Sequence, residues 1–224
     1  MKYRNATGVA VLSLCLGAAV AQGQGFYYLP PDASPEFRFG IGPSFFEDGR
    51  LTQFGGPVSS KVDYDTGLAF DAALGWNFNK YVAADFETGF IGAKINNVPG
   101  FTSDNSRLYN VPFLFNVTLS CPIPRTNLTP YVGAGVGVAD VVFDTDNIND
   151  GVTTVTGSEN NVVFAGQVFA GLRFQLTGHL SVDLGYKYFA TGDPTFSYPP
   201  SPNFDVGFRG ARTHSVLAAL RFDF

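Results

Sequence analysis

Apolar and polar residues alternate along most of this chain, and the alternation breaks and resumes often enough to mark out eight separate stretches. The closing one, Thr213–Phe224, shows it plainly: Val216, Ala218, Leu220, Phe222 and Phe224 share one parity, while Ser215, Arg221 and Asp223 share the other. A period of two is the signature of a β-strand with one oily face. The same rule predicts strands over Glu36–Phe45, Thr66–Phe78, Tyr81–Ile91, Leu108–Ser120, Thr129–Phe143, Asn161–Leu176 and Leu180–Phe189. The second is the cleanest, with Leu68, Phe70, Ala72, Leu74, Trp76 and Phe78 set against Gly67, Ala69, Asp71, Ala73, Gly75 and Asn77. Pro112 falls inside the fourth and predicts a local weakness or bulge, because proline brings no N–H to a ladder.

Connections between these stretches alternate long and short. The polar segments Phe46–Asp65, Gly92–Arg107, Asp144–Asn160 and Ala190–Arg212 read as long loops; Asn79–Lys80, Cys121–Leu128 and Thr177–His179 read as tight turns. That rhythm belongs to an antiparallel up-and-down barrel with turns on one rim and elaborate loops on the other. The last strand would otherwise leave an open edge, which invites aggregation. Pairing it with the first strand, at Phe37–Phe45, closes the barrel. Across the eight strands the apolar parity carries one charge, Asp140, near a long-loop end, and the other mid-strand charges lie on the opposite parity. The apolar parity is also the bulkier, and eight strands enclose an interior only just wide enough for side chains to fill. Small and polar residues such as Gly133, Gly135, Gly137, Ala73 and Gly75 therefore belong inside, and Phe and Leu outside, against lipid. Aromatics gather at both predicted rims, as amphipathic rings do at headgroup level. Trp76, Phe78, Phe174, Phe222 and Phe224 mark the short-turn rim, and Phe45, Phe90, Tyr109, Phe164 and Tyr188 the other. The competing arrangement, a soluble sandwich with these aromatics in its core, would reverse the two faces.

Composition agrees with many short strands: 224 residues include 23 Phe and 26 Gly but one Met and one Trp. The formal charge of −5 is mildly acidic and argues against nucleic acid as a partner. Lys2 and Arg4, the apolar run Val9–Val20 and the small residues of Ala19-Val20-Ala21 predict a secretory leader cleaved before Gln22. A lipoprotein reading at Cys15 is disfavoured by the bulky Leu14 before it. Residues 1–21 are then the leader, 22–35 a Pro-rich periplasmic lead-in, and 36–224 the barrel. With Cys15 gone, Cys121 is the sole thiol and no internal disulfide can form. Beyond the leader no apolar run approaches the length of a membrane helix, which leaves the closed barrel as the structure able to span a bilayer.

The predicted interior gathers Arg38, Asp71, Asp85, Glu87, Arg173, Asp183, Lys187 and Arg221. Charges confined to a narrow barrel are expected to pair with one another, since unpaired buried charge is costly; a selective pore lined by them is the alternative. No catalytic constellation emerges. His214 and Ser215 are strand neighbours and face opposite ways, and His179 lies in a turn at the other rim. Two distant histidines and one thiol make no zinc site. Asp144–Gly151 (DTDNINDG) has the acidic look of a calcium loop. It puts Ile148 at a ligand position, Asn149 where the turn glycine belongs and Val155 where the bidentate Glu belongs. The glycines of GAGVG in the fifth strand recur every second residue with no helix after them. They read as room for Phe169 and Leu114, not as a dinucleotide fingerprint. In Thr191–Gly210, Phe196, Tyr198, Phe204 and Phe208 stand among prolines, which predicts either a semi-rigid aromatic contact surface or a cap over the barrel mouth.

The segments VPFLFNVTLS (Val111–Ser120), TPYVGAGVGVAD (Thr129–Asp140), FAGLRFQLTGHLSVDLGYKYF (Phe169–Phe189) and the closing HSVLAALRFDF resemble small bacterial outer-membrane β-barrel proteins, in particular opacity-protein-like and OmpA-like transmembrane domains. The resemblance covers nearly all of the chain after the leader and specifies fold more than activity. It implies an all-β protein, an eight-stranded antiparallel up-and-down transmembrane β-barrel, set in the cell outer membrane after export. Its surroundings would be outer-membrane lipid and lipopolysaccharide, and its terminal Phe224 a signal read by the barrel-assembly machinery. The chain departs from the two-domain OmpA pattern by ending at the barrel, which puts cell-wall anchoring in doubt. The function expected is structural or adhesive, with a host or matrix ligand met by the surface loops, and with no cofactor, no metal and no catalytic residue. A small pore is the alternative, and a lipid-modifying enzyme stands third.

Overall fold

The alternation in the sequence becomes thirteen β-strands among the described residues of the computed structural model, 33–198 and 204–224. In chain order they are β1 (Ser34–Phe46), β2 (Gly49–Phe54), β3 (Pro57–Tyr64), β4 (Gly67–Asn77), β5 (Val82–Asn97), β6 (Thr102–Asp104) and β7 (Arg107–Ser120). There follow β8 (Leu128–Asn149), β9 (Thr154–Gln175), β10 (Leu180–Thr191), β11 (Thr195–Ser197), β12 (Asp205–Phe208) and β13 (Arg212–Asp223). The predicted leader and most of the lead-in lie outside the described residues.

Eight of these strands close a ring. From β1 the antiparallel path runs through β4, β5, β7, β8, β9, β10 and β13, whose far edge returns to β1. The closing register sets Phe37 opposite Phe222 and Phe45 opposite His214, the pairing expected for the first and last strands. The short turns are held by side chains that take up freed backbone donors. Asn79 accepts from the N–H groups of Tyr81 and Val82, and the Thr177 hydroxyl from those of His179 and Leu180. At Pro112 the ladder with β5 lapses between Phe113 and Asn110 and resumes in the same register, while the ladder with β8 continues. The proline is a weak point without a bulge.

Side-chain polarity is inverted relative to a soluble protein. Phe39, Leu68, Leu74, Phe86, Phe115, Val136, Phe164 and Leu184 face outward and are exposed, whereas Arg38, Asp71, Asp85, Glu87, Asp183, Lys187 and Arg221 are buried inside. Both predicted faces are as observed. On β13 the outward apolar run extends from Phe222 to Val216, with His214 above it, and these seven tilted strand residues span about 18 Å.

The four segments read as polar loops are mostly strand. β2 and β3 occupy the first, the end of β5 and β6 the second, the ends of β8 and β9 the third, and β11 and β12 the fourth. They continue the barrel as a head. Its wall runs β12–β2–β3–β5, turns into β6, and goes on through β8 and β9, with β11 paired to β12 at the remaining gap. Periodicity misses this because the two faces exchange chemistry where the chain leaves the apolar band. On β8 the outward residues are Val132, Ala134, Val136 and Val138, then Asp140, Val142, Asp144 and Asp146; the inward ones are Gly133, Gly135 and Gly137, then Ala139, Val141 and Phe143. β5 does the same, with Asp85 and Glu87 inside below, Ile91, Ala93 and Ile95 inside above, and Lys94 outside. The head thus has a core of the soluble kind, in which Leu51, Val62, Ile95, Phe143, Ile148, Phe196, Val206 and Phe208 are buried. Phe196, Tyr198 and Phe208 belong to it, and Phe204 packs against Phe54 with ring centroids 5.0 Å apart. Among the described residues of the fourth segment these four rings therefore pack inward, against the core of the head.

Candidate functional site

Inside the membrane-height ring, strand alternation brings side chains from six strands to one level. β1 contributes Arg38, β4 Asp71, β5 Asp85 and Glu87, β7 Asn116, β9 Gln167 and β10 Lys187. Glu87 is the hub. Its carboxylate takes Arg38 Nη2 at 2.6 Å and Lys187 Nζ at 2.5 Å, and accepts from Gln167 Nε2 at 3.1 Å and Asn116 Nδ2 at 3.2 Å. Lys187 also reaches Asp71 at 2.5 Å, and Asn116 donates to Asp85 at 2.7 Å. Nearer the short turns Arg173 pairs with Asp183 at 3.0 Å. At that end Arg221 pairs with Glu36, and with Asp223 at 3.3 Å, while Asn77 donates to Asp223 at 3.0 Å.

Every charged residue expected inside is found there, and all join ion pairs as expected except Asp85, whose partner is the Asn116 amide. Glu36, Asn116 and Gln167 complete the set; their inward parity is readable, but only the tertiary arrangement shows which charge each one serves. The glycines of β8 make the room. A Cβ on Gly133 would lie 2.3 Å from Phe169 Cζ, and one on Gly135 would lie 1.8 Å from Asn116 Oδ1. The predicted partnership with Phe169 holds. Gly137 instead abuts the backbone of Phe113 and Leu114.

A cavity of about 20 Å3 at this level is bordered by Arg38, Asp71, Tyr131, Phe169 and Lys187. That is room for about one water. Tyr131 and Phe169 narrow the bore further, with Arg173 over the first ring and Arg38 over the second. Above the ionic level, Leu114, Ala139, Val141 and Phe189 are buried and lead into the core of the head.

The remaining candidates are dispersed. Ser215 is buried inside, and His214 points outward, where its ring nitrogens meet Tyr186 Oη at 2.5 Å and Glu47 Oε1 at 3.1 Å. His179 sits at the opposite rim against the backbone oxygen of Asp223. In the acidic segment, Asp150 accepts from the N–H groups of Thr153 and Val152, and these bonds hold its carboxyl below the usual carboxylate range. Cys121 is a free thiol in a short turn. Phe224 is exposed, and its N–H bonds the carbonyl of Pro35.

A closed antiparallel ring, apolar outside over a membrane-height band and ionic within, defines a transmembrane β-barrel. Residues 7–222 match the outer membrane protein beta-barrel domain, and the chain belongs to that family, whose place is the cell outer membrane. An uncharacterized protein of Brucella suis is 26% identical over 211 residues, covering 75% of this chain and 74% of that one. Outer membrane protein PagN of Salmonella typhimurium is 35% identical over 75 residues, 32% of this chain and 30% of PagN. Among solved structures, Neisserial surface protein A aligns over 84% of this chain and 97% of its own, at 16% identity and a TM-score of 0.48.

Proposed function

We infer that this protein is a non-conducting outer-membrane barrel whose purpose is to hold a rigid β-structured head at the cell surface, in a structural or adhesive role. One observation carries the reading: the bore is filled along its height, by paired charges at membrane level and by apolar side chains above, while the strands continue outward as a packed wall. Permeation would require opening both layers, and separating buried ion pairs is expensive. A head with a core of its own presents a fixed surface, which favours binding without an ordering cost.

The barrel purified and inserted in a planar bilayer is expected to show no steady single-channel conductance. Cells carrying it are expected to adhere to host cells or matrix. Variants with β2–β3 or β11–β12 replaced by short linkers should lose adhesion while retaining the heat-dependent shift in gel mobility of an intact barrel. Steady conductance that changes with Asp71→Asn or Arg173→Gln would instead establish the small channel.

A further inference from the structure

Among the described residues the wall of the head has no ladder between β9 and β11. β9 pairs with β10 as far as Ala165 opposite Thr191, and a last bond joins Gly192 N–H to the Phe164 carbonyl. In antiparallel pairing the backbone groups of successive residues point alternately to the two sides. Phe164 uses the side away from β8, so Val162, Asn160 and Ser158, which precede the register shift at Gly157, direct their N–H and C=O groups the same way. Among the described residues these have no backbone partner, although the other edge of β9 pairs with β8 out to Thr154. β11 lies next in the ring, and its pairing is with β12. The diversion is local: Asp193 accepts from Gly210 N–H and the Pro194 carbonyl from Phe208 N–H, which pulls the chain after β10 toward β12. The side chains of Phe196 and Tyr198, packed on Phe143, hold β11 in place.

An unpaired edge is a template for another strand, and proteins ordinarily blunt it. Here the chemistry beside it selects the partner. No Lys or Arg occurs between Arg125 and Arg173, and that stretch carries Asp140, Asp144, Asp146, Asp150 and Glu159. Asp140 is held beside the edge by Asn160 at 2.9 Å. On the β11 side stand Asp193 and Asp205. A second copy of this chain would set one acidic edge against another, which like charges oppose.

We propose that this seam is a strand-addition site for an extended, Lys- or Arg-bearing segment of a partner polypeptide, which pairs with β9 along Ser158–Val162 and displaces β11. The main-chain ladder supplies the affinity and the acidic border the selectivity. The proposal rests on the surface-presentation reading and names its partner class.

The test uses the full barrel in detergent micelles and a fluorescent ten-residue peptide alternating Lys and Thr. Saturable binding is expected, with none for the Glu–Thr peptide. Asn160→Pro removes a laterally directed N–H that the ladder with β8 does not use, and edge positions tolerate proline. It should weaken binding about tenfold, as the loss of a backbone bond and local register does, while Asn160→Ala should bind like the parent. Fold is checked by heat-dependent gel mobility. Should Asn160→Pro fail to fold, Glu159→Gln with Asp140→Asn gives the second reading and should also weaken binding. A Lys–Pro peptide of equal charge that binds as well as Lys–Thr would overturn the proposal in favour of charge attraction alone. Self-association of the barrel that Asn160→Pro abolishes, in the absence of peptide binding, would assign the edge to a second copy and overturn it as well. No saturable binding of the Lys–Thr peptide by the parent barrel, with cell adhesion intact, would sink the seam and leave the surface-presentation reading standing.

Discussion

Glu87 and Lys187 show how much depends on single buried groups. Lys187→Met would leave Asp71 and Glu87 facing each other without their shared ammonium, and breaking a buried pair from one side costs about 3–5 kcal/mol. Denaturant unfolding of the barrel refolded into lipid vesicles should show that loss, and adding Asp71→Asn should recover part of it. Gly133→Ala would push a methyl group into Phe169 and is expected to cost about 1–3 kcal/mol by overpacking. Phe169→Leu in the same chain should relieve it, measured in the same unfolding assay. At the β8–β9 tip the Asp150 carboxylate binds two turn amides and has a depressed pKa. A depressed carboxylate contributes above its unfolded pKa and loses the contribution as pH falls through its lower folded pKa. Slow amide exchange at Val152 and Thr153 is therefore expected to persist from neutral pH through the ordinary carboxylate range and to fail only below it. The residues of the ionic layer were legible in the sequence as a parity. Their pairing was not, because neighbours across a barrel lie far apart in the chain, as Glu87 and Lys187 do.

At the level of strands, the alternation located all eight ring members and their inward faces, since that information is local. It failed where the rule itself changed. Beyond Val138 on β8 and Phe90 on β5 the outward parity turns polar while the inward parity turns apolar, so a search for one oily face stops there. Asp140 is the visible trace of that exchange, the first outward charge above the band. The head should consequently melt as a small soluble core would. Phe208→Ala is expected to cost the head about 3–5 kcal/mol, the usual loss for truncating a buried Phe. Proteolysis should then nick residues within 193–210 or 49–64, while the membrane-height ring keeps its heat-dependent gel shift. Equal loss from both parts would show that head and barrel unfold as one unit.

For the molecule as a whole, the far end of the chain closes the ring against the first strand. We propose that Phe224, exposed beside the short-turn rim with its N–H bonded to the Pro35 carbonyl, serves assembly more than stability. Its deletion should reduce insertion in cells severalfold and leave the unfolding midpoint of refolded barrel nearly unchanged; equal effects on both would count against that role. The ring closure described above also sets the order of events in folding. β8 and β9 meet across a turn at 150–153, so their ladder can form while the rest of the chain is still loose. β1 and β13 must bring Phe37 to Phe222 across almost the whole sequence, and the entropy of closing so long a loop is recovered only when the last strand docks. Until that moment both terminal strands present bare edges, so the time between export and closure is the interval in which this chain most needs escort.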